Sequence, residues 1–460
     1  MSVRHKLVIT SVVALATFVA ACSSNAKNGS SAPTSAPALG TATTSAPHST
    51  APGVGVTATT VKVGVALVDF NCIKPFVNQI RIDQDKNYQA FIDDINAQGG
   101  IAGRQIVPVY RSYCPIGNAQ ALTLCTQFAE DDKVFAVIGN FVDFSGDAQS
   151  CLAKDHNTVL MTFQLSRAII DASPPGLIVL PGAVPERIDS VLLGLLQKQH
   201  TLDGKKVAVL GETTSQNVVQ SSVEPGLKRL GVQTGSTAIL NVTTADTSAA
   251  QSQLDSFIER WKSEHVDALF VSGTQVSSQQ FIEKVRAGMP NVILITDVTA
   301  EVLGYGKQEQ QIGRHPNPYE GILTAYGPTA QEFDQSANWK YCATIYQTQT
   351  GKVAPNAEAV VPGPDGKTLD TYGSINDACQ LLTMFHDIAT RVGHDLNVPN
   401  WVHTVDTYGA IRNVGAGAYA SLHAGKYDVD DTFRLVAFDS TIPPQGTWRP
   451  LTPLQDITGS

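Results

Sequence analysis

The chain is 460 residues long, enough for two or three domains, and 43% of it is hydrophobic. Its 32 Lys and Arg stand against 41 Asp and Glu, a formal charge of −9, which excludes a nucleic-acid binder that neutralises phosphate and a polybasic binder of membrane surfaces. The one long apolar run lies at the N-terminus, which excludes a multispanning membrane protein.

Arg4-His5-Lys6 precede an uncharged run from Leu7 to Ala21, the basic-then-apolar layout of a secretory signal over residues 1–21. That run ends Val19-Ala20-Ala21-Cys22, which resembles the bacterial lipobox. The resemblance implies cleavage before Cys22 and a diacylglycerol on its thiol, a lipid anchor at the outer face of the cytoplasmic membrane. Residues 22–60 then read as a tether. Of residues 23–60, 31 of 38 are Ser, Thr, Ala, Pro or Gly, too few apolar side chains to offset ordering entropy. As a coil the tether spans on the order of 30–40 Å.

From Val61 strands and helices alternate. Val61–Val68 is a β-branched, apolar run, expected as a buried parallel strand. Tyr88, Phe91, Ile92 and Ile95 share one helical face, and Gly99-Gly100 stops that helix. Strands follow at 106–110, 134–138 and 159–161, with helices around Leu122–Phe128 and 146–154. The pattern restarts with a helix at 188–196. Strands at 207–210, 232–240, 268–271 and 292–295 enclose helices at 218–230, around Leu254–Trp261 and at 281–285. The remainder is helix-rich (333–346, 375–392 and 402–411) before a strand at 433–438. Trp261 and Trp401, at helical positions, are expected in the core. Such repeats predict an α/β fold of parallel sheets flanked by helices, in two similar lobes.

Six cysteines remain once Cys22 is lipidated: Cys72, Cys114, Cys125, Cys151, Cys342 and Cys379. An even number fits disulfides in an exported compartment. No two have the CxxC spacing of a zinc ribbon or a thioredoxin-type site.

One segment is more specific: Phe91-Ile92-Asp93-Asp94-Ile95-Asn96-Ala97-Gln98-Gly99-Gly100-Ile101-Ala102-Gly103-Arg104. This Ile-Asn-x-x-Gly-Gly-Ile-x-Gly-Arg turn resembles type I periplasmic binding proteins, in particular the leucine/isoleucine/valine-binding branch. Val137-Ile138-Gly139, Lys205-Lys206-Val207-Ala208-Val209-Leu210 and Asp267-Ala268-Leu269-Phe270-Val271 resemble later strands of that family in the same order. The similarity covers roughly residues 60 to 440. It implies two Rossmann-like lobes joined by three crossovers, with ligand in the cleft beyond the strand ends. The first lobe would hold 61–181 plus 327–430, the second 182–326 plus 431–460. Crossovers would lie near Leu180-Pro181, Thr324–Gly327 and Phe433–Ala437.

In that layout Cys72 and Cys114 each follow a strand of the first lobe. Cys125 and Cys151 sit on successive helices, and Cys342 and Cys379 on two later ones. The expected pairs are therefore Cys72–Cys114, Cys125–Cys151 and Cys342–Cys379. Cys114 resembles a family disulfide partner, but the family's second partner falls near Val142.

The same resemblance locates the ligand loops. In amino-acid-binding relatives the loop after Ile138-Gly139 is Ser-rich and holds the ligand carboxylate. Here it offers Asn140, Phe141, Asp143, Phe144 and Ser145. Asp143 would repel a carboxylate and favour a cation or a donor, or it caps the following helix. Gln164 and Ser166 match the second contacting loop, or are ordinary loop polarity. From the second lobe come Thr213, Ser215 and Gln216, then Ser272 and Thr274, then Asp297. Asp297 or Glu212 would face a ligand ammonium, or be solvated. Asp69 and Phe70, ending the first strand, complete the set. A cleft of this kind, polar with aromatic faces, suits a small polar solute with a planar part.

No Gly-x-Ser-x-Gly elbow and no His-Glu-x-x-His motif occurs. Gly363–Thr368 imitates a phosphate loop, but Val361 stands where its first Gly belongs. Gly415-Ala416-Gly417-Ala418-Tyr419-Ala420, in a helical region with no strand before it, reads as small-residue packing. The ten His have no ligand spacing. The expectation is an exported, lipid-anchored, monomeric solute-binding protein that closes on a small molecule and delivers it to an ABC permease. It would use no cofactor or metal and catalyse nothing. Alternatives are a ligand-sensing surface receptor of the same fold and an exported enzyme.

Overall fold

Buried strands take β-branched and apolar residues on both faces, and the first is such a run: β1 (Thr60–Val68) has every residue from Val63 to Val68 buried. The structure is a computed structural model that describes residues 49–458, apart from 75, 76, 78, 144, 164, 243–246, 360, 365, 366 and 416. The signal segment, Cys22, Phe144 and Gln164 lie outside the described residues.

Along the chain follow β2 (Gln79–Ile80), β3 (Gln105–Tyr113), β4 (Ala136–Gly139), β5 (Val159–Met161) and β6 (Ile178–Val179). Next come β7 (Lys206–Glu212), β8 (Gln233–Leu240), β9 (Ala268–Ser272), β10 (Ile293–Thr296) and β11 (Leu323–Tyr326). Short strands β12 (Val361–Pro362), β13 (Thr368–Leu369), β14 (Gly409–Ala410) and β15 (Ser421–Leu422) precede β16 (Thr432–Asp439), β17 (Thr447–Pro450) and β18 (Gln455–Asp456).

The first lobe is built on a parallel sheet of order β3-β1-β4-β5-β6. The second is built on the order β17-β16-β11-β10-β9-β7-β8, parallel from β8 to β11 and antiparallel where β16 meets β11 and β17. Helices bury one stripe each on these sheets. The helix Gln84–Ala97 buries Tyr88, Phe91, Ile92 and Ile95, the face its sequence predicts. One apolar core joins the first sheet to the helices of residues 333–405, including fully buried Trp401. Two cores cover the two faces of the second sheet, and Trp261 is fully buried in one of them.

The lobes are linked by the segment after β6, by the segment after β11, and by the return into β16. Two of these links run side by side: Leu180 N–H donates to the Tyr427 carbonyl and Val429 N–H to the Leu180 carbonyl, both at 2.8 Å. A buried ion cluster fastens them. Arg187 meets Asp428 at 3.2 Å and also Asp431, and Lys426 meets Asp431 at 3.2 Å.

The three cysteine pairs are the expected ones, with Cα–Cα distances of 5.8 Å (Cys72–Cys114), 6.2 Å (Cys125–Cys151) and 5.8 Å (Cys342–Cys379). All three lie in the first lobe.

Three local differences have physical causes. Ser49 to Thr59, expected as tether, are held: Asn397 donates its amide to the Ser49 and Ala51 carbonyls, Gly53 N–H donates to the Leu396 carbonyl, and Val56 is buried. The helix expected over 402–411 runs Val398–Asp406 instead, because Asn397 caps it and Pro399 fits its first turn. Residues 415 and 417–420 are irregular rather than helical. A Cβ on Gly417 would lie 2.1 Å from Thr432 Cβ, so the small residues there do serve close packing.

Candidate functional site

In an open α/β sheet the crevice lies where neighbouring connections leave in opposite directions. In the first sheet that point falls between β1 and β4, in the second between β7 and β9. The loops that leave these four strands define the candidate site.

Each side has a glycine at the turn. Gly139 ends β4 with φ +119°, and a Cβ there would lie 2.3 Å from the Ala66 carbonyl oxygen. Gly273 follows β9 with φ +121°, and a Cβ there would lie 2.6 Å from Glu212 Cγ. Both loops need a backbone that other residues rarely adopt, pressed against the neighbouring strand end.

On the first lobe, Asp69 accepts the Asn71 N–H at 2.9 Å, turning the chain after β1. Asp69 and Phe70 line a cavity of about 460 Å³ together with Arg81, Gln84 and Tyr110. Arg81 is the centre of a polar cluster. Its Nε donates to Asp370 at 2.9 Å and its Nη1 to Asp377. Asn140 donates its amide to the same Asp377 oxygen at 2.8 Å. Burial opposes the charge on Arg81, but Asp377 and Asp370 outweigh it and raise its pKa. Burial lifts the Asp377 carboxyl, with Arg81 and Asn140 pulling it back down.

The remaining first-lobe candidates are distributed differently. Phe141 is fully buried, its ring 5.8 Å from that of Tyr113. Asp143 is buried as well. Its carboxylate accepts Ser145 N–H and Oγ–H and, at 2.8 Å, Ala148 N–H. Ala148 belongs to the first turn of the helix Asp147–Ser150, whose N-cap is Gly146. Ser145 is thereby committed to Asp143 and Asp147. Ser166 heads the short helix Arg167–Asp171.

On the second lobe the candidates are chained together. Glu212, at the end of β7, accepts Gln275 N–H at 2.8 Å, Val276 N–H at 3.1 Å and Thr214 Oγ–H at 2.6 Å, locking the loop after β9 onto the end of β7. Ser215 Oγ donates to the Ser272 carbonyl at 2.7 Å, and Ser272 Oγ to Asp297 at 2.6 Å. Thr213 Oγ donates to the Leu240 carbonyl at 3.4 Å, away from that chain. Gln216 opens the next helical turn, and Thr274 is half-buried in the loop after β9.

Behind this chain lie more carboxyls. Burial, with Glu212 and Glu301 adding, lifts the Asp297 pKa to about 7. Burial and Asp297 raise Asp189 well above the usual range, and burial and Glu212 raise Glu301. Asp189 is fully buried, and Ser222 draws its pKa back down. This wall, built from four elements, is acidic and partly protonated near neutral pH.

Sequence reasoning missed Arg81, Asp377, Asp189 and Glu301. Asp189 left a signal, a carboxylate among the apolar positions of Pro185–Lys198. Arg81 left none, since its partners lie 289 and 296 residues away.

Residues 82–344, which include strands of both sheets, match a family model described as periplasmic binding protein. No curated protein sequence matches significantly. Solved structures do match. A solute-binding protein of an ABC transporter from R. palustris, in complex with 4-hydroxybenzoate, has a TM-score of 0.62 at 15% identity, covering 86% of this chain and 98% of that one. A fatty acid ABC transporter substrate-binding protein from Thermomonospora curvata has 0.60 at 14%, covering 88% and 95%. A leucine-binding protein from Thermotoga maritima has 0.59 at 11%, covering 86% and 99%. At these identities the shared property is the fold.

Proposed function

The chain belongs to the periplasmic binding protein family, an extracytoplasmic family, and on that premise we propose that it captures a small polar solute between its lobes and hands it to an ABC importer. The lobes divide at 61–181 plus 327–430 and 182–326 plus 431–460. Cys22 carries the lipid that keeps the protein at the membrane.

The observation that carries this reading is the family match, which takes in β3 to β6 of the first sheet and β7 to β11 of the second. The site geometry supports it. Asn140 with Asp377 and Arg81 on one side, and Ser215, Ser272 and Asp297 on the other, offer donors and acceptors at the two switch points. Such groups fix a solute's orientation, while closure removes it from water. Nothing in this arrangement needs a covalent step. The relatives named above bind leucine, a fatty acid or a hydroxybenzoate by their descriptions. A solute of that size, polar at both ends, fits the reading.

The test is a thermal-shift screen of the chain from Ser23 onward against amino acids, amides, amines, aromatic acids and short fatty acids. X-ray scattering follows on every hit. A solute that raises Tm and shrinks the particle is the expected result. Consumption of a compound during incubation, or stabilisation with no change in dimensions by any hit, overturns it. Intact mass of the membrane-extracted protein tests the anchor, since a mature chain without diacylglycerol at Cys22 refutes it.

A further inference from the structure

Residues 351–369 join the helix Ala337–Thr350 to the helix Thr371–Val392, both of the first lobe. They do not simply connect them. At one end they form part of a small sheet in which β13 pairs antiparallel with β12 and parallel with β2. Lys367 Nζ adds a bond to the Val77 carbonyl at 2.7 Å, and Asp334 accepts Ala357 N–H at 3.0 Å. These bonds fix the segment to the first lobe.

At Glu358, next in sequence to Ala357, the segment reaches the second lobe. Glu358 Oε2 accepts from Lys307 Nζ at 2.5 Å, and its Oε1 accepts from Thr447 Oγ at 3.0 Å. Lys307 belongs to the helix Thr299–Gln311, and Thr447 opens β17. The side chains of Lys307 and Glu358 are only 16% and 20% exposed, so water screens the pair weakly. Glu358 also acts on Tyr326, whose pKa burial, this carboxylate and Asp430 push up to about 12.

Both sets of contacts adjoin the candidate site. β2 is followed at once by Arg81, and β13 by Asp370, which Arg81 binds. The helix that carries Lys307 begins beside Asp297 and carries Glu301 in its first turn. A rigid-body separation of the lobes that moves this helix has to break either the Glu358 contacts or the bond from Ala357 to Asp334.

We propose that residues 351–359 are a strap between the lobes, tied to the first lobe where Asp334 holds Ala357, with Glu358 and Lys307 as its buckle, and that the buckle sets how far the lobes stand apart. The solute consequence rests on the cleft reading above: a weaker buckle shortens solute residence. The strap itself does not rest on it.

The test uses the solute-free chain from Ser23 onward with one nitroxide on each lobe, at exposed Lys86 and Glu259. K307M and E358Q are each expected to lengthen or broaden the inter-label distance distribution, and the charge swap K307E/E358K to restore it. A solute found by the screen should dissociate on the order of fivefold faster from either single variant. Unchanged distributions in both single variants overturn the strap. So does a charge swap that leaves them altered. If a single variant fails to fold, T447V, which removes one bond only, decides by the same distances. A chain that binds no solute but opens on E358Q refutes the solute reading and keeps the strap, and the reverse pattern does the opposite.

Discussion

Ser272 and Asp297 hold the ends of adjacent strands together: the Ser272 hydroxyl donates to Asp297 Oδ2 over 2.6 Å, next to Glu212 and Glu301. That bond pulls the Asp297 pKa down, while burial and its acidic neighbours push it up to about 7.

Stability therefore depends on pH through this wall. An unfolded aspartate releases its proton near 3.8, whereas folded Asp297 keeps it to about 7. Between those values the folded chain binds more protons, so stability falls as pH rises through that window and levels off above it. Asp430, also raised to about 7 by burial, acts in the same direction. D297N should flatten part of the fall of Tm between pH 5 and 8. An unaltered slope in that variant would remove Asp297 from the explanation.

Asp377 is the shared acceptor of Arg81 and Asn140. D377N leaves Arg81 with Asp370 alone in a poorly solvated place and should cost about 3 kcal/mol in urea unfolding. N140A, which removes a neutral donor, should cost about 1 kcal/mol. Because both bonds meet at one oxygen, the double variant should lose less than the sum, and strict additivity would show that the two are not one network.

The turn at Gly273 admits no side chain. G273A meets both a left-handed backbone and the Glu212 side chain, and should cost about 1–3 kcal/mol. G182A is the control, since nothing lies within 4 Å of the Cβ it would add. Equal Tm values for the two variants would contradict the packing described.

Limited reduction should open the disulfides in order of access. Cys342 and Cys379 are fully buried, whereas Cys72 and Cys114 are half-buried. A thiolate must reach the sulfur it attacks. Timed alkylation with mass spectrometry should find Cys72 and Cys114 modified first. Early labelling of Cys342 would reverse that order.

The elements that were legible in the sequence are those whose signal is local. β1 and β5 follow from apolar runs, the helix Gln84–Ala97 from one apolar face, and the cysteine pairs from the order of strands and helices. The helix Thr299–Gln311 was not legible, because Gly304 and Gly306 interrupt its pattern. The site was half legible. The candidates of the second lobe sit on loops that directly follow strands, and Ser215, Ser272 and Asp297 do meet. Arg81 and Asp377 meet only because Thr371–Val392 packs beside Gln84–Ala97, a tertiary fact with no local trace. Asp143 was ambiguous for a related reason, since a capping aspartate and a ligand-facing one can have the same neighbours in sequence.

Among the described residues every cysteine bridge lies in the first lobe, and residues 182–326 and 431–460 contain no cysteine at all. Covalent cross-linking is therefore confined to one half of the molecule, and the other half is held by packing and hydrogen bonds alone. A reducing medium strips its staples from one side only.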